Sequence, residues 1–382
     1  MTRKVLIVAN VVKTHIIQFH LPLIKALHDA GWEVHVAAKN DFVPRSLCVI
    51  PYCDHYFDLP FSRNIFKKDN LTSYKLIKQI ITLNKYDVIH CNTPIPSALC
   101  RLAARNSEAK IIYTAHGFHF FNGAPLLNWL FYYPVELLLS RYTDVLITIN
   151  DEDFKRALTF HAKKVVKIAG IGVSVENFRQ CDKKNYIDRE KLGIPNDAFV
   201  LLSVGELIKR KNHKSILDAL SIISNPKIHY IICGQGTLRD YLLKLVNKDH
   251  LENNVHFIGY CTDMPRVYTM GDCFVFPSLH EGLPCAMMEA LMSGLPVIAS
   301  DIRGCRDLLP YCTNGILYPV KEIQRLVELI TTAYIEHRPR CVPSLENVKC
   351  FDQQAILKEI LAIYNELMEQ NEIRVCKSMD LR

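Results

Sequence analysis

Short apolar runs alternate with helical patterns along the chain, and this alternation constrains the fold more than any other feature. Residues 4–9 are a continuous apolar run, as expected of a parallel strand that is buried on both faces. The segment that follows, up to residue 31, spaces its large apolar residues as a helix does and ends at a glycine. Further strands are predicted at residues 33–38, 87–90, 110–115, 144–149, 198–204, 255–258 and 273–276. The pattern predicts α/β architecture with doubly wound parallel sheets.

The length of the chain predicts more than one domain. A chain of 382 residues suits two domains of roughly 180 residues, each able to bury its own core. We predict a first domain at residues 1–180 and a second at residues 181–350, with the charged stretch 181–191 as the linker. A final helical segment, residues 351–382, is expected to pack back on the first domain.

Composition excludes several classes of protein. An apolar fraction of 49% with 22% charged residues is ordinary for a soluble globular protein. The net charge of +7 is too modest to indicate a nucleic-acid partner, and it suits an anionic nucleotide or an acidic membrane surface equally well. The 14 cysteines are scattered without a C-x-x-C pair, which favours a reducing cytoplasm over a disulfide scaffold or zinc site.

Membrane insertion is not expected. The apolar start, residues 1–12, is interpreted as a first strand because no small-residue cleavage site follows it. No run approaches the ~18 to 20 apolar residues that span a bilayer. The nearest, residues 126–139, is interrupted by Asn128, Pro134 and Glu136.

Residues 277–300, PSLHEGLPCAMMEALMSGLPVIAS, are predicted to form a loop, a helix and a strand after the strand at 273–276. Pro284 is expected in the first turn of the helix and Gly294 just after its end. A helix N-terminus attracts phosphate through free backbone N–H groups and the positive end of the helix dipole. Glu281 in the loop and Glu289 on the helix could hold hydroxyl groups on either side of a bound diphosphate.

An isolated pair of glutamates would more often be solvated surface residues. The complete string P-S-x-x-E-G-L-P-x-x-x-x-E-A-x-x-x-G-x-P-V, however, resembles the donor-site signature of the retaining GT-B glycosyltransferases, those of glycosyl transferases group 1 or family 4. Many bacterial capsule and exopolysaccharide enzymes belong to this family. The resemblance implies two Rossmann-like domains with an interdomain cleft, the first binding the acceptor and the second the nucleotide-sugar.

The resemblance also implies roles for individual residues. Glu281 would hold hydroxyl groups of the donor sugar, and Glu289 the hydroxyl groups of the ribose. Charge on the leaving diphosphate would be neutralised by Lys211 and by backbone N–H groups around Gly282 and Leu283.

The segment 205–213, GELIKRKNH, departs from the family at one position. Many relatives carry an arginine directly after the glycine that matches Gly205, and here Glu206 stands in its place. Lys211 matches the family lysine, and Lys209 or Arg210 could supply the missing charge.

Two further segments of the second domain match family loops. Gly234 and Gly236 lack the third glycine of a dinucleotide fingerprint but match the family's G-x-G turn in the donor domain. The loop at residues 259–263, which includes Cys261, lies against the nucleotide base in relatives.

His116 follows a predicted strand of the first domain, at the edge of the sheet where α/β proteins bind ligands. A single histidine there is more often structural, but in the family a histidine at this position reaches the donor sugar in the interdomain cleft. The Phe-rich residues that follow could cover an acceptor or belong to the core. Residues 10–15 replace the family's Gly-Gly loop, so the family's acceptor contacts cannot be transferred.

The implied activity is transfer of a sugar, expected from a UDP-sugar, to a lipid-diphosphate-linked saccharide, with retention of configuration. No cofactor or metal ion is expected. The expected location is cytoplasmic, peripheral on the inner face of the membrane. The basic and aromatic segment 57–81 is either a helix with a core-facing apolar stripe or a surface that contacts anionic lipid. The alternatives are a nucleotide-sugar epimerase of the same fold and a catalytically idle, membrane-associated scaffold.

Overall fold

The computed structural model describes residues 2–179 and 186–379, without the side chains of residues 179, 186–187 and 370–379. The chain divides into two compact units. Unit 1 comprises Met1–Ile171 and Gln354–Arg382, and unit 2 comprises Gly172–Gln353. Of the predicted linker, residues 181–185 lie outside the described part, and the remainder is a helix, Tyr186–Lys191.

Unit 1 contains a seven-stranded parallel sheet in the order β3-β2-β1-β4-β5-β6-β7. Its strands are β1 (Lys4–Val11), β2 (Glu33–Lys39), β3 (His55–Asp58), β4 (Val88–Cys91), β5 (Lys110–Ala115), β6 (Val145–Thr148) and β7 (Lys164–Lys167). Its helices include a π-helix (Val12–His20), α1 (Leu21–Asp29), α2 (Lys68–Asn84), α3 (Pro94–Ala104), α4 (Leu126–Leu139) and α5 (Asp151–Ala157), with 3-10 turns at Arg45–Leu47 and Ser140–Tyr142. Residues 5–8 of β1 are completely buried, as a central strand requires.

Unit 2 contains a six-stranded parallel sheet in the order β10-β9-β8-β11-β12-β13. Its strands are β8 (Phe199–Val204), β9 (Ile228–Cys233), β10 (Val255–Gly259), β11 (Cys273–Phe276), β12 (Val297–Ser300) and β13 (Gly315–Tyr318). Its α-helices are α6 (Val175–Arg179), α7 (Tyr186–Lys191), α8 (Lys214–Ile223), α9 (Arg239–Lys248), α10 (Met264–Thr269), α11 (Cys285–Met292), α12 (Arg303–Leu308), α13 (Ile323–Glu336) and α14 (Leu345–Val348). Shorter 3-10 turns lie at Lys209–Lys211, Leu309–Tyr311 and Lys349–Phe351.

The last helix, α15 (Gln353–Met379), groups with unit 1 from Gln354 onwards. The Tyr364 hydroxyl on α15 lies 2.9 Å from Nδ1 of His90 in β4, and the Tyr364 ring meets Trp32 edge-on. Tyr364 is 1% exposed, so α15 completes the core of unit 1 rather than lying on its surface.

The predicted fold class is confirmed, since both sheets are parallel and their strands alternate with helices. Two local predictions were wrong. The helix expected up to residue 31 is not a single α-helix, because it begins with the nine-residue π-helix Val12–His20. Pro284 does not occupy the first turn of α11 but is its N-cap, with an extended backbone (φ −78°, ψ 112°).

A helix that spans a bilayer must be both long and apolar. None of the helices of the described residues meets this requirement.

Candidate active site

The Glu281 carboxylate lies in the loop between β11 and α11, where two cations converge on it. Its Oε1 is 2.8 Å from Lys211 Nζ, forms an ion pair with Arg210, and accepts a hydrogen bond of 2.9 Å from the Ser278 hydroxyl. Burial by itself would raise the pKa of Glu281, but attraction to Lys211 and Arg210 and the hydrogen bonds from Lys211 and Ser278 outweigh it. The pKa is therefore lowered, and Glu281 is ionised at neutral pH.

Lys211 and Arg210 come from the 3-10 turn that follows β8. The Lys211 side chain is 13% exposed and its Nζ lies 4.8 Å from the centre of the Phe276 ring, a cation–π contact. Arg210 also donates to the carbonyl oxygen of His280 at 3.3 Å. Lys209 of the same turn is exposed, as is Glu206 in the family arginine position. Of the two candidates for the missing charge, Arg210 is the one beside Glu281.

The glycines of unit 2 allow its loops to pack backbone against backbone. A Cβ on Gly234 would lie 1.9 Å from the carbonyl oxygen of Gly205, and one on Gly236 would lie 2.5 Å from that of Leu207. Leu207 N in turn donates to Gln235 O at 2.9 Å. The G-x-G turn therefore fixes the position of the loop that leads to Lys211.

The loop that carries Gly282 and Leu283 is fixed from the other side by α12. A Cβ on Gly304 would lie 2.2 Å from the carbonyl oxygen of Gly282. Arg303 Nε donates to the backbone oxygen of Glu281 at 2.8 Å. These contacts hold the backbone of the loop directly before α11.

Glu289, in the second turn of α11, has a different environment from Glu281. Burial raises its pKa to about 7, although a hydrogen bond with Tyr268 opposes the increase. The Tyr268 hydroxyl lies 2.9 Å from Glu289 Oε2 and 2.8 Å from the carbonyl oxygen of Ala286, and Tyr268 itself is 0% exposed. Within the described part of the chain no Lys or Arg forms an ion pair with Glu289, so the two glutamates of the motif differ in charge near neutral pH.

The loop after β10 lines a cavity of about 430 Å³. Its walls include Tyr260, Cys261 and Arg266, and the Arg266 guanidinium holds Asp188 with two hydrogen bonds of 2.5 and 2.7 Å. The Cys261 Sγ lies 3.9 Å from the carbonyl oxygen of Ile258. The cavity could hold a flat group such as a nucleoside base beside Cys261.

His116 belongs to unit 1 and follows β5. Its ring meets those of His15 and His20 edge-on, with ring centres 5.6 and 5.4 Å apart. Burial lowers the pKa of His116 to about 4, so this imidazole is neutral at physiological pH. The Phe-rich residues after it belong mainly to the core, where Phe118 and Phe120 stack and are 3% and 2% exposed.

Asp151 and Asp153, in the first turn of α5 after β6, have the D-x-D spacing. Asp153 Oδ2 accepts hydrogen bonds from Phe118 N (3.0 Å) and from the Asn150 side chain (2.8 Å). Asp151 is paired with Lys167. Both carboxylates therefore have structural partners.

Sequence reasoning missed several residues that contact the candidate groups. Ser278 and Arg303 hold Glu281, Tyr268 holds Glu289, and His15 and His20 surround His116. None of these contacts gave a sequence cue, since His15 and His20 lie close together only because their segment forms a π-helix.

Two family models match the chain. The family model described as "Glycosyl transferases group 1" matches residues 185–342, which carry Lys211, Glu281 and Glu289. The model described as "Glycosyl transferase 4-like" matches residues 4–150, which carry His116.

Relatives match over most of the chain. EpsD of Bacillus subtilis (strain 168), which carries a glycosyltransferase name, is 36% identical and is covered over 98% of its length by 97% of this chain. An Escherichia coli protein named UDP-Gal:alpha-D-GlcNAc-diphosphoundecaprenol alpha-1,3-galactosyltransferase is 30% identical, with 69% of each chain covered. The solved structure of Anabaena Alr3699/HepE in complex with UDP and glucose superposes with a TM-score of 0.77 at 20% identity, covering 95% of this chain and 100% of that one. Both sheets, both family models and the full-length relative agree, and the chain belongs to the group 1 glycosyltransferases of the GT-B fold.

Proposed function

We propose that this enzyme transfers a sugar from a UDP-sugar to a hydroxyl group of a lipid-diphosphate-linked saccharide, with retention at the anomeric carbon, in surface polysaccharide biosynthesis. The observation that carries the proposal is the convergence of Lys211 and Arg210 on Glu281 directly before α11. Two cations against one ionised carboxylate leave an excess positive charge, which suits a diphosphate.

The named relatives support the choice of donor and acceptor. The name of the E. coli relative specifies a UDP-sugar donor and a diphosphoundecaprenol-linked acceptor. The HepE structure, which shares the fold, contains UDP and glucose.

The proposed chemistry breaks the bond between the anomeric carbon and the leaving diphosphate oxygen, and forms one to the acceptor oxygen on the same face. The leaving phosphate accepts the acceptor's proton, so no side chain is assigned as general base. Lys211 and Arg210 would stabilise the negative charge that builds on the diphosphate. Glu281 would hold hydroxyl groups of the donor sugar, Glu289 those of the ribose, and His116 would contact the transferred sugar. The step itself requires no metal ion.

An exposed apolar face on α4 supports contact with the membrane that carries such an acceptor. We call this face the α4 stripe; its residues are Leu126, Leu127, Leu130, Phe131, Val135 and Leu138, which are 46–84% exposed. The opposite face of α4 packs on the core of unit 1 and carries Glu136, which is buried and paired with Arg101 at 2.7 Å. The helix is therefore anchored with its apolar stripe facing outward, as in proteins that lie in a membrane interface.

Basic residues near the start of α2 add the charge that anionic lipid requires. Phe66 is 88% and Ile65 49% exposed, and Lys67 and Lys68 follow them directly. Helix α3 packs against both α2 and α4, so the helices that carry the two surfaces share α3 as a neighbour. Within α2, Ile77 and Ile81 face the core, which agrees with a core-facing stripe and leaves the exposed residues before the helix for the proposed lipid contact.

The decisive experiment supplies purified enzyme with UDP-sugars and a synthetic polyprenyl-diphosphate-linked saccharide, and identifies products by mass spectrometry and NMR. We expect an elongated lipid-linked product with the anomeric configuration of the donor, and no product from Glu281→Ala. Inversion at the anomeric carbon would reject retention. An isomerised nucleotide-sugar formed without acceptor would favour the epimerase, and absence of nucleotide binding would favour the scaffold.

A further inference from the structure

The π-helix after β1 and the turn after β5 bring three histidines of unit 1 together. One ring nitrogen from each of His15, His20 and His116 lies within 4.8 Å of the other two. His15 Nδ1 and His20 Nε2 are 3.1 Å apart, and His20 is only 4% exposed. We call these residues the three-histidine cluster.

The spacing of the cluster is close to that of a metal site. Zinc–nitrogen bonds of about 2.0–2.1 Å in a tetrahedral site place the ligand nitrogens about 3.3 Å apart. The His15–His20 distance is already near this value, and the remaining separations exceed it by at most about 1.5 Å, within reach of side-chain rotation. Three histidines with one open position form a known class of zinc site.

His116 carries an independent indication of a ligand. Its Nε2 is buried and has no hydrogen-bond partner in the described part of the chain. A buried unpaired nitrogen of this kind costs about 1–3 kcal/mol and calls for an explanation such as a bound ion.

The protonation state of the cluster is compatible with a metal ion. Burial first, and then the proximity of His116, lowers the pKa of His15 to about 3, and burial lowers that of His116 to about 4. Neutral imidazole is the form that coordinates metals.

His90, beside the cluster, is not a ligand. Its Nδ1 lies 2.9 Å from the Tyr364 hydroxyl and its Nε2 2.8 Å from the Thr114 hydroxyl, so both ring nitrogens are occupied. Arg63 contributes a positive charge that acts on His15. The Arg63 charge would repel a metal ion that is held mainly by electrostatic attraction. It would weaken less the binding of a metal ion that is held by bonds to imidazole nitrogens.

We propose that His15, His20 and His116 form a binding site for a divalent transition metal ion of the zinc class, with one coordination position open. Imidazole ligands without carboxylate favour zinc over magnesium or calcium, which prefer oxygen. The consequence for activity rests on the function proposed above: a metal ion on His116 would remove this imidazole from the transferred sugar, so zinc would inhibit transfer.

Direct metal binding tests the site without reference to activity. Full-length protein, stripped with chelator, is titrated with Zn²⁺ against a chromophoric chelator and, separately, with Co²⁺ followed by absorption. We expect one equivalent bound by the wild type, and affinity reduced at least about tenfold in His15→Asn and in His20→Asn, since even outer-shell changes cost that much. His256→Asn is the matched control, because His256 pairs with His229 at 3.0 Å in unit 2, and among the described residues this pair has no third metal-binding side chain beside it.

The 14 cysteines could also bind these ions, and Co²⁺ distinguishes the two cases. A thiolate ligand adds an intense charge-transfer band that an all-histidine site lacks. Folding of each variant is checked by circular dichroism, and His15→Gln serves as a second variant if His15→Asn is unstable. Equal affinity in the wild type and the folded cluster variants, or a thiolate band in the tight complex, would overturn the proposal. Zinc binding without inhibition would preserve the site and reject its link to the proposed sugar contact.

Discussion

Glu281 and Glu289 lie eight positions apart, yet their surroundings give them opposite electrostatic properties. Glu281 is ionised because Lys211 and Arg210 contact it, whereas Glu289 lies against the buried Tyr268 hydroxyl and titrates near neutrality. The sequence motif predicts both carboxylates but not this difference, since the cations come from a loop about 70 residues earlier in the chain.

Replacing Lys211 by methionine should remove the charge while keeping much of the side-chain volume. Loss of one preorganised donor to a developing charge typically costs about 100- to 1,000-fold in kcat, and we expect a loss in that range for Lys211→Met. Transfer rates measured with saturating donor check this. Lys209→Met is the matched control because Lys209 is exposed on the same turn, and it should retain nearly full activity. Equal losses in the two variants would refute the assignment of Lys211.

Glu289 should make the stability of the folded protein fall as pH rises from 4.5 to about 7. In this range the folded state keeps the carboxyl neutral while the unfolded chain, with its ordinary pKa of 4.5, releases the proton. Unfolding therefore releases a proton and becomes more favourable at higher pH. Denaturant unfolding of wild type and Glu289→Gln at several pH values isolates the effect. The wild-type free energy of unfolding minus that of the variant should decrease across this interval, and a constant or increasing difference would contradict the prediction.

At the scale of elements, the buried central strands were predictable from sequence, whereas the edge strands β3 and β7 and the irregular segments were not. The apolar runs at residues 110–115 and 273–276 coincide with β5 and β11, because strands buried on both faces must be continuously apolar. The π-helix was not predicted, since its apolar spacing also fits an α-helix. It is this element that places His15 beside His20.

The α4 stripe should determine binding to lipid. Leu130→Gln with Phe131→Gln removes two apolar side chains that are 66% and 55% exposed. We expect the double variant to lose most of its flotation with vesicles of anionic phospholipid. Its melting temperature should change little, because substitutions of exposed side chains usually alter stability by less than about 0.5 kcal/mol.

A control for the stripe is available in unit 2. Ile222→Gln with Ile335→Gln also removes two exposed apolar side chains, which are 53% and 73% exposed, from helices α8 and α13. This variant should float as the wild type does. If both variants bind vesicles equally, the α4 stripe is not the membrane contact.

At the scale of the whole molecule, the predicted donor residues, with the exception of His116, lie in unit 2. UDP should therefore slow backbone hydrogen exchange at residues 205–213 and 278–289, while strands β1 and β4 of unit 1 remain unchanged. Exchange measured by mass spectrometry with and without UDP checks this. Lys211→Ala should lose the protection, and protection confined to unit 1 would contradict a donor site in unit 2.

The sequence by itself determined the parallel α/β architecture and the positions of Glu281, Glu289 and Lys211 along the chain. Apolar periodicity and turn residues act locally, so they can be recognised without the fold. Only the tertiary structure decided which polar and charged groups meet: Arg210 with Glu281, Tyr268 with Glu289, and three histidines from two separate segments with one another. The physical reason is that electrostatic interaction and desolvation depend on distances through space and on burial, which chain spacing does not specify.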